Sequence, residues 1–170
     1  VRLRIKHVGI CGTDYHIFEG THPMLRYPRV MGHELSAEVL DPNGSEFRTG
    51  EAVVVNPYLN CGHCPACLEG KTNCCETLAV LGVHTDGGMT EEIVMPAGNL
   101  YRADGISLKQ AAMVEFLCIG AHAVRRTEVG EGMRVLVVGA GPIGLGVAIF
   151  AKIAGGLVTI LDAAADKITT

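Results

Sequence analysis

The sequence predicts an α/β protein in two parts, a small β barrel followed by the start of a doubly wound parallel sheet. Short apolar stretches alternate with polar residues and turns through the first hundred positions, which is typical of an antiparallel β domain. Near residue 139 a glycine-rich turn joins a β-branched run to an apolar helical pattern, which is typical of a parallel βαβ unit. We place the domains at 1–114 and 115–170.

The composition indicates a globular protein with a substantial core. Of its 170 residues, 48% are hydrophobic and 19% are charged, and the formal net charge is −4. This mildly acidic balance, without a basic run, argues against nucleic acid or an anionic membrane as the main partner. Because no charged-then-apolar leader is visible, the seven cysteines favour metal binding in a reducing compartment over disulfides, so we expect a cytoplasmic protein.

The first predicted strand leads into a loop rich in reactive groups. Apolar and basic residues alternate over 1–8, which predicts a half-exposed strand. A thiol, a hydroxyl, a carboxylate and an imidazole follow within six positions. They belong to Cys11, Thr13, Asp14 and His16.

A second donor group follows at Gly32-His33-Glu34. Cys11 and His33 are ligand types that Zn²⁺ prefers, and a carboxylate could complete a three-ligand sphere whose fourth position stays open. Taken alone, Cys11 would be better interpreted as a small buried hydrophobe and His33 as a core histidine.

Two more strands are predicted before residue 56. The segment between His16 and Met31 contains prolines that discourage a helix, so we expect a loop there. The sequence Asp-Pro-Asn-Gly at 41–44 predicts a turn, and 52–55 predicts a buried strand. Between loop and turn, residues 35–39 alternate, placing Leu35, Ala37 and Val39 inward and Ser36 and Glu38 outward.

Four cysteines carry the most specific signal in the sequence. Their spacing, C-x2-C-x2-C-x7-C, matches a closed tetrahedral site for structural zinc, and glycines and a proline keep the segment irregular. Two disulfides are the alternative, and Cys74 is a spare thiol that could replace the last ligand. The four cysteines with this spacing are Cys61, Cys64, Cys67 and Cys75.

Helical patterns occupy the region of the domain boundary. Ser107 and Gln110 form a predicted capping box, which starts a helical period that continues through Val114. A second helix-compatible run extends from Phe116 to Arg126 and stops before Gly130.

The segment from 134 to 162 has the context of a dinucleotide fingerprint. A β-branched run at 134–138, predicted to be buried on both faces, leads into Gly-Ala-Gly-Pro-Ile-Gly. A helix follows to about Ala154, and the next strand is 157–161. The acid at its end, Asp162, would accept hydrogen bonds from the ribose hydroxyls and favour NAD over NADP. The alternative is a glycine-rich packing turn in another βαβ protein. The predicted cofactor residues here are Gly139, Gly141, Pro142, Ile143, Gly144, Asp162 and Lys167.

These motifs, in this order, resemble zinc-dependent medium-chain alcohol dehydrogenases over essentially the whole chain. The segments from Val114 to Ala123 and from Gly82 to Gly88 resemble the sorbitol, threonine and galactonate branch. The resemblance implies a GroES-like catalytic barrel followed by a Rossmann domain. Since a strand, helix and strand are less than half of such a sheet, we expect the chain to be part of a longer protein.

The resemblance also implies roles for individual residues. Cys11 and His33 match catalytic zinc ligands, and the third ligand is either Glu34 or Glu115, although Phe116 replaces the usual proline after that glutamate. Asp14 matches a carboxylate that orients the ligating histidine. The four-cysteine segment matches a structural zinc lobe. A proton relay through the cofactor ribose is matched by Thr13 and His16.

The activity implied is NAD-dependent oxidation of a secondary alcohol in a polyol, sugar acid or hydroxy amino acid, by a full-length homodimer or homotetramer. Two alternatives are a zinc-free relative of the quinone-reductase type and a non-catalytic relative that binds a dinucleotide. A relative of the quinone-reductase type should lack both the Cys11/His33 pair and the four-cysteine segment, and this sequence has both.

Overall fold

An antiparallel sheet organises the first of two units, Val1–Met113 and Val114–Thr170. The computed structural model describes residues 1–23 and 25–167, so the last three residues of the predicted second domain lie outside the described part. The strands of the first unit are β1 (Arg2–Gly9), β2 (Glu34–Asp41), β3 (Ala52–Val55), β4 (Tyr58–Leu59), β5 (Ala79–Val80), β6 (Glu92–Val94) and β7 (Leu100–Arg102).

Five of these strands form one sheet in the order β6-β1-β2-β3-β7, and β4 pairs with β5 separately. The alternation predicted for residues 1–8 is confirmed, because Leu3 is fully buried between exposed Arg2 and Arg4. Full burial of a leucine or valine contributes about 1.5–3 kcal/mol, so one apolar face holds the sheet together. The largest fully buried side chains of that core are Leu3, Leu35, Val39, Val53 and Val55.

Three short helices accompany the sheet: α1 (Gly12–Phe18), α2 (Pro65–Leu68) and α3 (Leu108–Ala111). The predicted capping box of α3 is confirmed, with the Gln110 backbone N–H donating to Ser107 Oγ over 3.3 Å. Single 3₁₀ turns lie at Thr72–Cys74 and Ala97–Asn99.

Strand β2 corrects one sequence prediction. Ser36 was expected to face solvent, but its exposed fraction is 0%. Helix α3 packs against β1, β2 and β3, and its Ala111 is also fully buried. The second face of the central strand is therefore covered, which an alternating pattern alone cannot reveal.

The site segment and the cysteine segment are also more regular than predicted. Residues 12–18 form helix α1 rather than a loop, because the Asp14 carboxylate accepts the Cys11 backbone N–H over 2.8 Å and caps the helix start. The cysteine segment, expected to be irregular, contains α2 and a 3₁₀ turn, with Pro65 at the first helical position.

The second unit is a βαβ arrangement preceded by a helix. Its elements are α4 (Val114–Arg126), β8 (Arg134–Val138), α5 (Pro142–Ile153) and β9 (Leu157–Leu161), followed by a 3₁₀ turn at Ala165–Lys167. Strands β8 and β9 pair in parallel. Helices α4 and α5 pack at glycines, since a Cβ on Gly120 would lie 2.5 Å from the Gly146 carbonyl carbon.

The burial predicted for β8 is wrong for one of its faces. Leu136 is 63% exposed and Val138 is 76% exposed. A strand of a doubly wound sheet is buried only when helices cover both faces, and the described residues contain two strands of that sheet.

Among the described residues, no helix has the length and apolar character needed to cross a membrane.

Candidate functional site

The pairing of β1 with β2 brings the first donor group together. Gly9, the last residue of β1, lies opposite Glu34, the first residue of β2. Antiparallel pairing therefore places Cys11, two residues beyond one strand, at the same sheet end as His33, one residue before the other. This connection explains how donors more than twenty positions apart in the sequence come together.

Cys11, His33 and Glu34 form what we call the sheet-end cluster. One ligand atom from each, a sulfur, an imidazole nitrogen and a carboxylate oxygen, lies within 4.8 Å of the other two. His33 is 6% exposed and Glu34 is 7% exposed, while Cys11 is partly accessible. This donor set suits a tetrahedral Zn²⁺ with three protein ligands and one open position.

Glycines set the approach of the two strands to this cluster. A Cβ on Gly9 would overlap the Glu34 carboxylate, so a side chain there would displace a donor. Gly32 has φ +97°, which other residues rarely adopt, and it packs tightly against a neighbouring loop. A Cβ on Gly82 would lie 2.8 Å from the Gly32 nitrogen. The position of His33 therefore depends on backbone contacts that tolerate no added carbon.

Asp14 joins the two halves of the cluster. Its side chain is 3% exposed and accepts the backbone N–H of Cys11 over 2.8 Å and that of Gly32 over 3.3 Å. The same carboxylate has an oxygen 3.8 Å from His33 Nδ1. A buried carboxylate beside a ligating imidazole orients the ring and strengthens its donor nitrogen.

The environment of Cys11 favours its thiolate. A hydrogen bond with the His33 side chain is the main cause of its lowered pKa, and the backbone and side chain of Thr13 lower it further. Burial acts in the opposite direction but is outweighed. Since the thiolate is the form that binds metals, this environment favours the form of Cys11 that could bind a metal ion.

Thr13 and His16 lie in consecutive turns of α1. Thr13 is partly buried beside Cys11, whereas His16 is exposed and has Nδ1 3.4 Å from Thr21 Oγ1. The pair thus extends from the sheet-end cluster towards solvent. The relay itself stays a prediction.

The four clustered cysteines lie in a segment that we call the cysteine lobe (61–75). The sulfurs of Cys61, Cys64, Cys67 and Cys75 all lie within 4.8 Å of one another, and Cys74 is exposed. The Cys61 and Cys67 sulfurs are 4.0 Å apart, twice the length of a disulfide but close to the ~3.8 Å edge of a tetrahedron with zinc–sulfur bonds of about 2.3 Å. The spacing therefore fits a closed metal site.

Backbone amides stabilise the thiolate forms of two of these cysteines. The Cys61 N–H donates to Cys75 Sγ over 3.3 Å and lowers the pKa of Cys75. The His63 and Cys64 amides lower the pKa of Cys61 to about 6, whereas burial raises that of Cys67 to about 11. Thiolates of this kind bind metal ions without a large proton-release cost.

Gly139, Gly141 and Gly144 each have a different structural role in the glycine turn of the second unit. Gly139 has φ +102°, and a Cβ on Gly144 would overlap the Gly139 carbonyl, so these two set the turn and the closeness of α5. A Cβ on Gly141 would meet nothing within 4 Å. A tight turn, an open backbone and a close helix contact are what a pyrophosphate-binding turn requires.

A groove of about 470 Å³ lies at the carboxyl ends of β8 and β9, lined in part by Gly139 and Asp162. The Asp162 carboxylate accepts the Ala140 N–H over 2.7 Å and the Ala164 N–H over 2.8 Å. The hydrogen bond from Ala140 is the main cause of the lowered pKa of Asp162, and the bond from Ala164 lowers it further. Lys167 Nζ lies 3.9 Å from Asp162 Oδ2. Asp162 therefore also fixes the turn, a role the sequence analysis did not assign.

The remaining predicted residues take their places in the second unit. Pro142 and Ile143 form the first turn of α5. Glu115 lies in the first turn of α4 and is 8% exposed. Its role as a ligand stays a prediction, since it belongs to the other unit.

Sequence reasoning missed one pair that supports His33. Arg29 Nη1 lies 3.0 Å from Asp86 Oδ1, which also accepts the Val30 N–H over 3.2 Å. This pair fastens the segment before His33 to a loop 57 residues later. Opposite charges so far apart in sequence give no local pattern, so only a contact map could have found them.

Comparison with known proteins gives consistent matches. The family described as the alcohol dehydrogenase GroES-like domain matches residues 1–105. The chain is 50% identical over 162 residues to L-galactonate-5-dehydrogenase of Escherichia coli strain K12, covering 94% of the chain and 48% of that relative. It thus spans about half the length of the curated relatives it matches.

Two solved structures share this architecture. An alcohol dehydrogenase from Escherichia coli CFT073 complexed with NADH superposes with a TM-score of 0.89 at 40% identity, covering 99% of the chain and 50% of the other. Galactitol-1-phosphate dehydrogenase from Escherichia coli gives a TM-score of 0.89 at 31% identity, covering 98% and 49%. The fold of both units is therefore found within larger dehydrogenases.

Proposed function

The chain belongs to the zinc-type medium-chain alcohol dehydrogenase family, and from this membership we propose that the whole protein oxidises a secondary alcohol with NAD as hydride acceptor. Its substrates would be polyols, sugar acids or hydroxy amino acids. We also propose a cytoplasmic enzyme that assembles as a homodimer or homotetramer. The geometry of the sheet-end cluster carries the proposal, because Cys11, His33 and Glu34 offer three unlike donors within 4.8 Å.

Zinc held by these residues would act as a Lewis acid that lowers the pKa of an alcohol. Cys11 contributes a thiolate favoured by its contact with His33, and Asp14 keeps both elements in place through the Cys11 and Gly32 amides. Thr13 would accept the alcohol proton while giving up its own hydroxyl proton, and His16, which is exposed to water, would release a proton to solvent. This arrangement separates metal binding, held deep in the fold, from proton release at the surface.

The cysteine lobe would hold a second zinc with a structural role. Its four thiols leave no position for a substrate, and it contributes no buried apolar side chain from α2 or from the 3₁₀ turn that follows. Metal ligation would therefore supply most of its stability.

The glycine turn would bind the pyrophosphate of NAD. The open backbone at Gly141 and the N-terminus of α5 offer amide donors to a diphosphate. Asp162, with its ionised form stabilised, would accept ribose hydroxyls and repel a 2′-phosphate. Similar structures bound to NADH and to NADP support a nicotinamide dinucleotide as the cofactor, and the proposal of NAD rests on Asp162.

The names of the relatives support the proposed substrate class. L-Galactonate-5-dehydrogenase is named for a sugar acid and galactitol-1-phosphate dehydrogenase for a phosphorylated polyol. Both named compounds are chains of secondary alcohols with an anionic end, so we place this protein's substrate among polyols and their acids.

The test uses the full-length protein, with metal analysis and an NAD-coupled absorbance screen of polyols, sugar acids and hydroxy amino acids. We expect two zinc ions per chain and reduced nicotinamide formed with at least one polyol or sugar acid. One zinc and no turnover would instead identify a relative that binds a dinucleotide without catalysis.

The identity of the third ligand has a matched test. Glu34→Gln and Glu115→Gln each remove one carboxylate charge, and only the variant lacking a ligand should lose the sheet-end zinc. We expect that loss in Glu34→Gln, because Glu34 already lies with Cys11 and His33. Loss in Glu115→Gln alone would assign the role to Glu115.

A further inference from the structure

A small cavity in the first unit has a cationic lining that the proposed reaction does not use. We call it the arginine cavity: its volume is about 260 Å³, and it is lined by Arg26, Arg29, Val83 and His84. Arg26 and Arg29 precede Gly32 in the chain, and Val83 and His84 belong to the loop whose Gly82 packs against Gly32. The lining therefore consists of three nitrogen-rich side chains and one valine.

The hydrogen bonds around the cavity leave donors available. The Val80 backbone N–H donates to His84 Nδ1 over 3.1 Å, so a neutral His84 carries its proton on Nε2 and is a donor there. Arg29 pairs through Nη1 with Asp86, but its Nε is buried and has no hydrogen-bond partner within residues 1–23 and 25–167. Over the same residues, Arg26 makes no ion pair.

A buried guanidinium donor without a partner is costly unless something else accepts its hydrogen bond. Asp86 offsets only one positive charge in the lining, and it is itself 67% exposed. The cavity thus combines an unneutralised arginine, an unsatisfied arginine N–H and a histidine donor. An anion with two or three oxygens matches this set, because a guanidinium binds carboxylate and phosphate oxygens through paired N–H groups.

The cavity is built on the same backbone that holds His33. Arg29 lies four residues before His33, and the segment between them pairs with residues 87–89 through three backbone hydrogen bonds of 2.8–2.9 Å. Val83 and His84 follow Gly82, whose added Cβ would lie 2.8 Å from the Gly32 nitrogen. The loop that supplies the cavity wall is therefore fixed against the residue preceding the imidazole.

We propose that the arginine cavity binds the anionic end of the substrate and makes the enzyme prefer acidic polyols over neutral ones. This inference rests on the proposed alcohol oxidation, since it assigns the recognition of one end of that substrate. Arg26 and Arg29 contact the anion, and His84 donates a further hydrogen bond. The anion is the carboxylate of an aldonic acid or the phosphate of a polyol phosphate.

The test compares Arg26→Gln with wild type in the full-length, zinc-loaded protein. Arg26 is exposed, so its replacement leaves the core intact, and the exposed Arg48→Gln is the matched control for a lost charge. The probes are L-galactonate, galactitol and galactitol 1-phosphate, which differ in the charge at one end. Turnover is measured with NAD, and binding is measured separately by calorimetry without cofactor.

We expect Arg26→Gln to raise the KM for the preferred anionic probe at least tenfold, with little change in kcat. The ratio of kcat/KM for that probe to kcat/KM for galactitol should fall by a similar factor. Arg48→Gln should leave that ratio unchanged. Arg29→Lys, which keeps the charge opposite Asp86 but removes the Nε–H donor, should weaken calorimetric binding of the same probe. Which anion loses affinity decides between carboxylate and phosphate.

Equal losses for galactitol and the anionic probes, or no loss in either arginine variant, would overturn the subsite. Its failure is distinguishable from failure of the proposed function. Turnover of galactitol with no arginine-dependent anion binding would refute the subsite alone. Arginine-dependent calorimetric binding of an anion without any turnover would refute the dehydrogenase and keep the subsite.

Discussion

The cysteine lobe and the sheet-end cluster lie in the same unit but are supported in different ways. The lobe's donors sit on short turns, and Leu68 of its helix is 75% exposed. The sheet-end donors lie where β1 ends and β2 begins, and Leu3 and Leu35 of these strands are almost completely buried. We infer that the lobe needs its metal in order to fold, whereas the sheet-end cluster exists before its metal binds.

The largest effect should come from breaking the lobe. Cys75→Ser removes one of four clustered thiols, and structural zinc contributes on the order of 10 kcal/mol in small zinc peptides. We expect one zinc ion to be lost per chain and amide protection to collapse over residues 61–76, measured by hydrogen exchange. Cys74→Ser is the control, because Cys74 is exposed, and it should retain both zinc ions. A protected lobe in metal-free Cys75→Ser would show that packing suffices.

The next effect should be catalytic. Cys11→Ser removes a proposed zinc ligand while the strands beside it stay packed, so turnover should fall by about 10³-fold or more, given the several kcal/mol supplied by a Lewis-acid metal. The melting temperature should change little, in contrast to Cys75→Ser. Exposed Cys118 provides the control, and Cys118→Ser should keep wild-type zinc content. Global unfolding of Cys11→Ser would contradict a preformed cluster.

A smaller effect is expected when the support is altered and the ligands are kept. Asp14→Asn preserves the shape of the side chain but removes the charge beside His33 and weakens acceptance of the Cys11 and Gly32 amides. Metal affinity at the sheet-end cluster should fall about 10–100-fold, as is usual for residues that orient a ligand. Chelator competition measures it, and zinc in the lobe is the internal standard. An unchanged affinity would mean that Asp14 only caps α1.

The smallest effect compares two glycines on either side of Cys11. Gly9→Ala would push a methyl group into Glu34, whereas Gly12→Ala has open space and enters a helix. We expect Gly9→Ala to cost about 1 kcal/mol or slightly more in unfolding free energy and Gly12→Ala to be neutral or stabilising. Urea denaturation of the metal-free protein measures both. Equal stabilities would show that the strand ends adjust freely.

Local patterns in the sequence were sufficient for the elements that depend on neighbouring residues. The alternation before Gly9, the turn at Asn43 with φ 47°, the Ser107 capping box and the strand-turn-helix around Gly139 all lie where they were predicted. Each is set by side-chain period or by backbone preference within about ten residues.

Features that depend on distant partners could not be predicted. Ser36 is buried because α3 covers its face, and α1 forms because the Asp14 carboxylate caps a seven-residue segment that the pattern gave no reason to call helical. The arginine cavity requires Arg29 and Asp86 to meet across 57 positions. The sequence indicated the chemistry of Cys11 and His33, but only the β1–β2 register explains why they meet.

The proposal that Cys11 and His33 share a metal ion is tested most directly by anomalous diffraction at the zinc edge from crystals of the full-length protein. The account predicts two peaks per chain, one of them about 2.3 Å from Cys11 Sγ and about 2.0 Å from a His33 ring nitrogen. A single peak confined to the cysteine lobe, with Cys11 and His33 binding no zinc in a correctly folded chain, would contradict it.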